Sequence, residues 1–433
     1  MAVGTQFKTS SIVLNETLMG FEDNFELLDR VNTDYEEMVA QAMGMPTGGA
    51  ISVRTQGYKQ PQTGQTFTIS PIVQEFETIL VDTSQMLGDL VSIGSTEFQV
   101  DRNRITDLTH YQFSQALATA VNIACYQELA LNCPYFVGSA TSNTVDFTLV
   151  SALQTFAREM SIPFADETLF MNTKDYNSMI ENVRTDNVFA NTGDLNESAN
   201  RYMTRSWAGI PIVQSQSLIT LRHISGTASG DALTFGGLVS TDSYKSAVIT
   251  IDSDADGTLL AGDRILFTVT KIVNPISKRE TRQYLQLIVQ EDVTSVGQVY
   301  SNVPVVGGIL ATSDTANGGE WFGNVLAVPT VGEPISVLAD HDLNFYTTRP
   351  GFTFATVGLQ DISTLRIADW AKSGTNKLSL AQSRNPDQPN APINIRTIFD
   401  AEITTASQLM RIDMQPVYKA FLRYNIALIT QAT

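Results

Sequence analysis

Apolar residues recur every three or four positions in some stretches of this chain and every second position in others, and the changes of period divide it into segments. Between residues 11 and 45, Phe21, Phe25 and Leu28 follow at spacings of four and three, and Tyr35 and Met38 at three, which predicts an amphipathic helical arm. Met45-Pro46-Thr47-Gly48-Gly49 then stops helical structure. Two strands are expected next, Ile51–Thr55 and Phe76–Val81, with the polar Gln-, Gly-, Thr- and Pro-containing run 56–71 between them. That run is too polar for a core, so the pair reads as a long hairpin projecting from the body.

From Asp101 the period becomes helical. Phe113, Leu117, Ala120, Val121, Ala124 and Cys125 form one apolar stripe, and Pro134 lies just beyond the end. A helix over 101–132 follows, about seven to nine turns at ~3.6 residues per turn. Asp146 is a suitable N-cap for a second helix carrying Leu149, Leu153, Phe156 and Met160 on one face. Thr168–Met171 reads as a buried strand, 175–182 as a short helix and Ile210–Val213 as another strand. Over 222–340 Gly, Thr, Ser, Val and Asp dominate and strand patterns recur, most clearly at 246–251, 265–269 and 284–289. Long strands return at 393–399, 409–413 and 420–429, and no internal repeat is found.

The chain has 433 residues, enough for about three domains of ~150 residues. Charged residues are 17% of it, below the ~25% usual for soluble domains, which suits surfaces that end against neighbouring subunits and also suits secreted β-proteins. Lys and Arg number 27 and Asp and Glu 45, giving 27 − 45 = −18. Such a chain repels nucleic acid, because DNA binding draws on cations that neutralise phosphates, so no sequence-specific nucleic-acid contact is expected. No apolar run approaches the ~18 residues of a membrane helix. Ile12-Val13-Leu14 meets Asn15-Glu16 at once, so no signal peptide is expected either. Cys125 and Cys133, eight residues apart, would be separated by ~12 Å on one helix, too far for a disulfide, and read as two buried thiols of a reducing compartment.

The usual catalytic signatures are missing: no phosphate-binding or dinucleotide glycine loop, no nucleophile elbow, no paired-histidine zinc motif and no Cys-x-x-Cys. His110, His223 and His341 fall in different segments and read as hydrogen-bonded structural residues. Trp207, Trp321 and Trp370 read as core or interface residues. Asp252, Asp254 and Asp256 with Gly257 and Asp263 have the spacing of an oxygen-rich calcium loop. The last position is Asp where a bidentate Glu is expected, and the flanks read as strands, so Asp/Gly hairpin turns are the alternative. No catalytic, cofactor or metal residue is assigned. The eight carboxylates of 11–45, against the single Arg30, form either a solvated helix face or a docking surface for a basic partner.

Asp342-Leu343-Asn344-Phe345, followed by Gly351-Phe352-Thr353-Phe354-Ala355-Thr356-Val357, resembles the coat proteins of tailed bacteriophages of the P22 type. Ile393-Asn394-Ile395-Arg396 through Asp400, Leu409-Met410-Arg411-Ile412-Asp413, and Val417-Tyr418-Lys419-Ala420-Phe421 with Arg423 are similar to that family's closing strands, in the same order. The family has a glycine and one further residue between the tyrosine and lysine of the last strand, whereas Lys419 follows Tyr418 directly here and Pro416 precedes Val417. Phe170-Met171-Asn172-Thr173-Lys174-Asp175-Tyr176 and Leu260-Ala261-Gly262-Asp263-Arg264-Ile265 resemble two further stretches, so the similarity covers about half the chain in scattered pieces.

The resemblance implies an α+β fold of the Hong Kong 97 type. Its parts would be an N-terminal arm (1–48), an extended loop (49–85), a peripheral domain with a spine helix (86–144), an axial domain (145–221 and 342–390), an inserted β-barrel-like domain (222–341) and peripheral closing strands (391–433). It implies a non-enzymatic major capsid protein, assembling in the host cytoplasm with itself into the pentamers and hexamers of an icosahedral virion that encloses double-stranded DNA. Scaffolding, portal and decoration or cement proteins are the implied partners. The chain begins at Met1 with no long leading segment of the kind some relatives cleave off, so a separate scaffolding protein is expected. An encapsulin-like compartment shell shares the fold and is the alternative, and a β-rich surface protein is a third reading.

Overall fold

The computed structural model describes residues 20–21, 24–27, 30–33, 49–55, 57–61, 73–81, 86–94, 102–142, 145–163, 166–185, 206–207, 209–356, 377–385, 388–402 and 407–432. The chain forms two compact units, one of 1–53, 78–125 and 353–419, the other of 54–77, 126–352 and 420–433.

In the first unit an antiparallel sheet runs in the order Lys377–Asn385, Gln388–Glu402, Ser407–Met414, Leu87–Gly94. The expected strands 393–399 and 409–413 lie inside two of these. Of the arm, Phe21, Phe25, Leu27 and Val31 are buried. The Phe21 and Phe25 rings stack at 5.3 Å, and Phe25 meets Phe354 at 4.6 Å. Asn32 bridges to Thr353, its carbonyl accepting from Phe354 N–H at 2.9 Å. Among the described residues the arm is not helical throughout: the chain leaves helical geometry after Asn24 and turns at Glu26 and Leu27. The rest of that expectation, Leu28, Tyr35 and Met38 included, lies outside the described residues.

The long helix spans Arg102–Asn132, 31 residues and about 46 Å at ~1.5 Å per residue. Its buried side is Ser114, Leu117, Ala118, Val121, Cys125, Tyr126 and Leu129. The stripe is therefore rotated slightly from the expected one: Ala120 and Ala124 are half-buried, while Ala118 and Tyr126 lie inside. Small alanines carry little burial energy, so the larger Tyr126 and Leu129 decide which side faces inward.

The second unit joins a mixed sheet to a barrel. The sheet runs Phe136–Gly138, Asn425–Gln431, His341–Thr348, Glu167–Asn172, Ile210–Ser215, Ser206–Trp207, with Arg222–His223 also pairing to His341–Thr348. Helix Phe147–Glu159 is capped as expected, Asp146 Oδ1 accepting from Leu149 N–H at 2.8 Å. It buries Val150, Leu153, Phe156 and Ala157, with Met160 just after it, while Leu149 is only half-buried. A further helix, Thr173–Thr185, contains the expected short one.

The β-rich stretch closes into a six-stranded antiparallel barrel. Its order is Ser246–Ser253, Val299–Val306, Glu280–Val289, Arg264–Val273, Pro334–Val337, Leu233–Asp242. Closure leaves no open sheet edge. Phe235, Ile249, Phe267, Leu287 and Val303 fill the interior, and the same apolar cluster continues to Leu153 and Phe156 of the capped helix.

One expected strand is split. Residues 420–429 do not run straight through: Pro416–Ala420 and Asn425–Gln431 are separate strands. Between them Asn425 Nδ2 donates to Gly351 O at 2.7 Å and to Phe421 O at 2.9 Å, closing the turn from inside. An alternating apolar pattern cannot register a buried side-chain amide that ties off its own turn.

Candidate functional site

The turn Leu260-Ala261-Gly262-Asp263-Arg264 lies at the root of the barrel and organises the joint there. Gly262 has φ +98°, and the His223 ring lies 2.9 Å from where a Cβ would stand, so conformation and space both require glycine. The fully buried Asp263 carboxylate accepts from Leu260 N–H at 2.8 Å, from Gly226 N–H at 3.2 Å and from His223 Nε2 at 2.8 Å. His223 stands opposite His341 in antiparallel register, and the rings lie 5.1 Å apart. The start and end of the barrel segment therefore meet side by side. His341 Nδ1–H donates to Ala339 O at 2.8 Å. Burial, and then the charge of Arg264, push its imidazole down to about 3, so it is neutral.

Arg264 is itself completely buried. Its Nη1 donates to Cys133 O at 2.7 Å and its Nη2 to Ala130 O at 3.3 Å, while the guanidinium lies 5.9 Å from the Phe136 ring centroid. Carbonyls at a helix C-terminus lack intrahelical donors and carry partial negative charge, so a cation from the barrel caps the long helix. Burial draws the guanidinium down to about 10 and pushes the Cys133 thiol up to about 12. Such a thiol is inert at neutral pH. Cys125 is buried as well.

A second buried polar centre lies in the mixed sheet. Asp175 Oδ2 accepts from Asn172 Nδ2 at 2.9 Å, from Asn344 Nδ2 at 2.6 Å and from Thr430 Oγ1 at 2.7 Å. Three chain segments far apart in sequence converge on this one carboxylate, two of them within the family-like stretches 170–176 and 342–345.

The Asp-rich stretch does not act as a single loop. Asp252 pairs in strand register with Thr234 and Val299. Asp254 Oδ1 accepts from Ala232 N–H at 3.1 Å, and Asp256 Oδ1 from Gln298 N–H at 2.7 Å and Ser295 Oγ at 3.2 Å. With Asp263 engaged at the joint and Asp252 lying in a strand, Asp254 and Asp256 serve as turn acceptors for different partners. Among the described residues no group of three or more His, Cys, Asp or Glu side chains is arranged to hold a metal. No helix among them is long and apolar enough to cross a membrane.

The long hairpin presents two exposed apolar side chains. Its strands, Ala50–Thr55 and Glu75–Leu80, pair with each other. Ile51, Glu77 and Ile79 are buried, whereas Phe76 is 45% and Leu80 69% exposed. Within the hairpin expected to project from the body, Gly57 and Lys59 lie against Phe322 and Glu320, and Val73 and Glu75 against Gly318 and Lys245, all of the same unit. Residues 62–72 lie outside the described residues.

Sequence reasoning treated His223 and His341 as unrelated and gave Arg264 no role. The Gly-Asp-Arg turn was the available signal, since an arginine beginning an otherwise apolar strand needs a buried acceptor. The side chains of His110 and Trp207, and all of Trp370, lie outside what is described.

The family model described as "P22 coat protein - gene protein 5" matches residues 1–424. The chain thus belongs to the P22 coat protein family and is a phage major capsid protein, a component of the virion. No curated protein sequence matches it. Among solved structures it is similar to one from Mycobacterium phage Che8, at 10% identity and a TM-score of 0.40 over 92% of this chain and 88% of that one. The capsid of Ralstonia phage GP4 is similar at 6% identity and a TM-score of 0.42, over 93% and 86%. A virus-like particle from Pyrococcus furiosus is similar at 8% identity and a TM-score of 0.36, over 96% of both chains.

Proposed function

We propose that this subunit assembles with copies of itself into pentamers and hexamers of a closed icosahedral head around double-stranded DNA, and that it carries out no catalysis. The observation that supports this best is the hairpin face, where Phe76 and Leu80 stand exposed on one strand whose other face is buried. A two-stranded ribbon with apolar residues on both faces is stable only when both are covered, and a neighbouring subunit covers the second. The segments named from the sequence take their family roles: arm 1–48, extended loop 49–85, peripheral domain 86–144 and 391–433, axial domain 145–221 and 342–390, and inserted domain 222–341.

The eight carboxylates of 11–45 suit a basic segment of a separate scaffolding protein. A portal protein at one vertex and a decoration or cement protein complete the particle, which assembles in the host cytoplasm. The test is the double variant Phe76→Ser, Leu80→Ser. Both side chains are exposed in the single subunit, so its thermal unfolding should match the unaltered protein while shell formation is lost. Normal shells from this variant would remove the hairpin face from the assembly interface.

A further inference from the structure

The outer half of the hairpin is tied to its own chain along both strands. On one side Tyr58 N–H donates to Trp321 O at 3.2 Å, Lys59 pairs with Glu320 at 2.6 Å, and Gln60 Nε2 donates to Ser277 O. The Lys59 ammonium also lies 5.9 Å from the Trp321 ring centroid. On the other side Lys245 pairs with Glu75 at 2.8 Å, and Tyr244 O–H donates to the buried Glu77 at 2.8 Å. Tyr58 and Lys59 are received by the helical turn Gly319–Phe322.

That turn is built to hold. Trp321 O accepts from Lys278 Nζ at 2.9 Å as well as from Tyr58, and Phe322 O accepts from Arg423 Nη2 at 2.9 Å. Arg423 in turn lies 4.0 Å from the Tyr244 ring centroid. Two cations thus fix the carbonyl end of the turn on which the hairpin rests. The closeness also dictates sequence. A Cβ on Gly57 would stand 2.7 Å from Phe322 Cζ, and one on Gly318, at φ +78°, would stand 3.0 Å from Val73 Cγ1.

We propose that residues 57–60 form an intramolecular clasp on Gly319–Phe322 that fixes the hairpin's direction in the unassembled subunit, before a neighbouring copy is met. Its consequence for assembly rests on the reading of the hairpin as an inter-subunit contact; the clasp itself does not. A hairpin already held in one direction loses less conformational freedom on docking, so pre-organisation favours association.

The test is hydrogen–deuterium exchange of peptides covering 57–61 in the unassembled protein. Gly57→Ala introduces the clash with Phe322 without altering any charge, and Glu320→Lys sets two ammonium groups against each other. Each should speed exchange of 57–61 by roughly two- to fivefold, the scale of a partly exposed ion pair, and leave barrel peptides such as 264–273 unchanged. The swap Lys59→Glu with Glu320→Lys should restore protection. Unchanged exchange in both single variants, or no recovery in the swap, would overturn the clasp. If the unaltered protein forms no shells while 57–61 remains protected, the shell reading fails and the clasp stands.

Discussion

The side-chain amide of Gln286 bonds both backbone polar atoms of Phe136, accepting from its N–H at 2.8 Å and donating to its carbonyl at 2.9 Å. A barrel side chain thereby serves the edge strand Phe136–Gly138 as a neighbouring strand would. Arg264 does the equivalent for the end of the long helix, through Cys133 O and Ala130 O. The barrel is joined to the second unit's sheet by groups that satisfy backbone, in addition to the apolar cluster they share.

Removing these groups leaves buried backbone atoms unpaired. Gln286→Leu should cost about 1–3 kcal/mol, and Arg264→Met, which loses charge-assisted bonds, about 2–4 kcal/mol. Urea unfolding at neutral pH measures both. Equal midpoints for variant and unaltered protein would show that these bonds do not hold the barrel.

His341 gives stability a pH dependence. Its folded imidazole is pushed down to about 3 from the usual 6.5, by burial first and by Arg264 second, with His223 acting in the same sense and Asp340 against it. Between those values the unfolded chain takes up a proton that the folded chain refuses. The contribution is therefore complete above pH 6.5 and is lost as pH falls toward 3. It amounts to a few kcal/mol in all, because each tenfold difference in proton affinity between the folded and unfolded chain is worth about 1.4 kcal/mol. His341→Asn removes this dependence. The stability of the unaltered protein should fall more steeply than the variant's from pH 7 to about 4, and parallel curves would contradict the assignment.

Asp175 Oδ2 gathers donors from Asn172, Asn344 and Thr430, while its Oδ1 is buried without a hydrogen-bond partner among the described residues. Asp175→Asn keeps one oxygen able to accept these three bonds, but it removes the charge that strengthens them and buries an amide N–H₂ where the unpartnered Oδ1 stood. The expected loss is about 2–3 kcal/mol, read from thermal or urea unfolding, with Asp175→Ala no better tolerated. A variant as stable as the unaltered protein would mean that the network is not formed.

Much of this architecture was legible in the sequence because apolar periodicity carries it. The strand signals at 246–251, 265–269 and 284–289 lie within three of the six barrel strands. Asp146 was readable as a cap because capping depends on a residue three positions away. What the pattern hid depends on contacts across long sequence separations. His223 meets His341, Gln286 meets Phe136, and Asn425 ties off the turn that splits the last strands. The Asp-rich stretch shows the same limit: Asp252, Asp254, Asp256 and Asp263 are near in sequence, but their partners lie on different strands and turns.

The segment 222–341 should fold on its own. His223 and His341 already stand side by side, so excision leaves no long gap to close. Arg264 and Gln286 lose the long helix and Phe136 as partners and turn to water, which lowers stability without opening the barrel. The isolated fragment should show β-type circular dichroism and one cooperative thermal transition. A disordered fragment would mean that the barrel depends on the core it shares with Leu153 and Phe156.

Electron microscopy of the purified protein, unaltered and with residues 62–71 deleted, tests shell building most directly. The docked residues 57–60 are kept in this deletion, so the subunit should remain folded. The account predicts closed shells from the unaltered protein and folded, unassembled subunits from the deletion. A protein that stays unassembled under every condition, or shells that form equally well without 62–71, would contradict it.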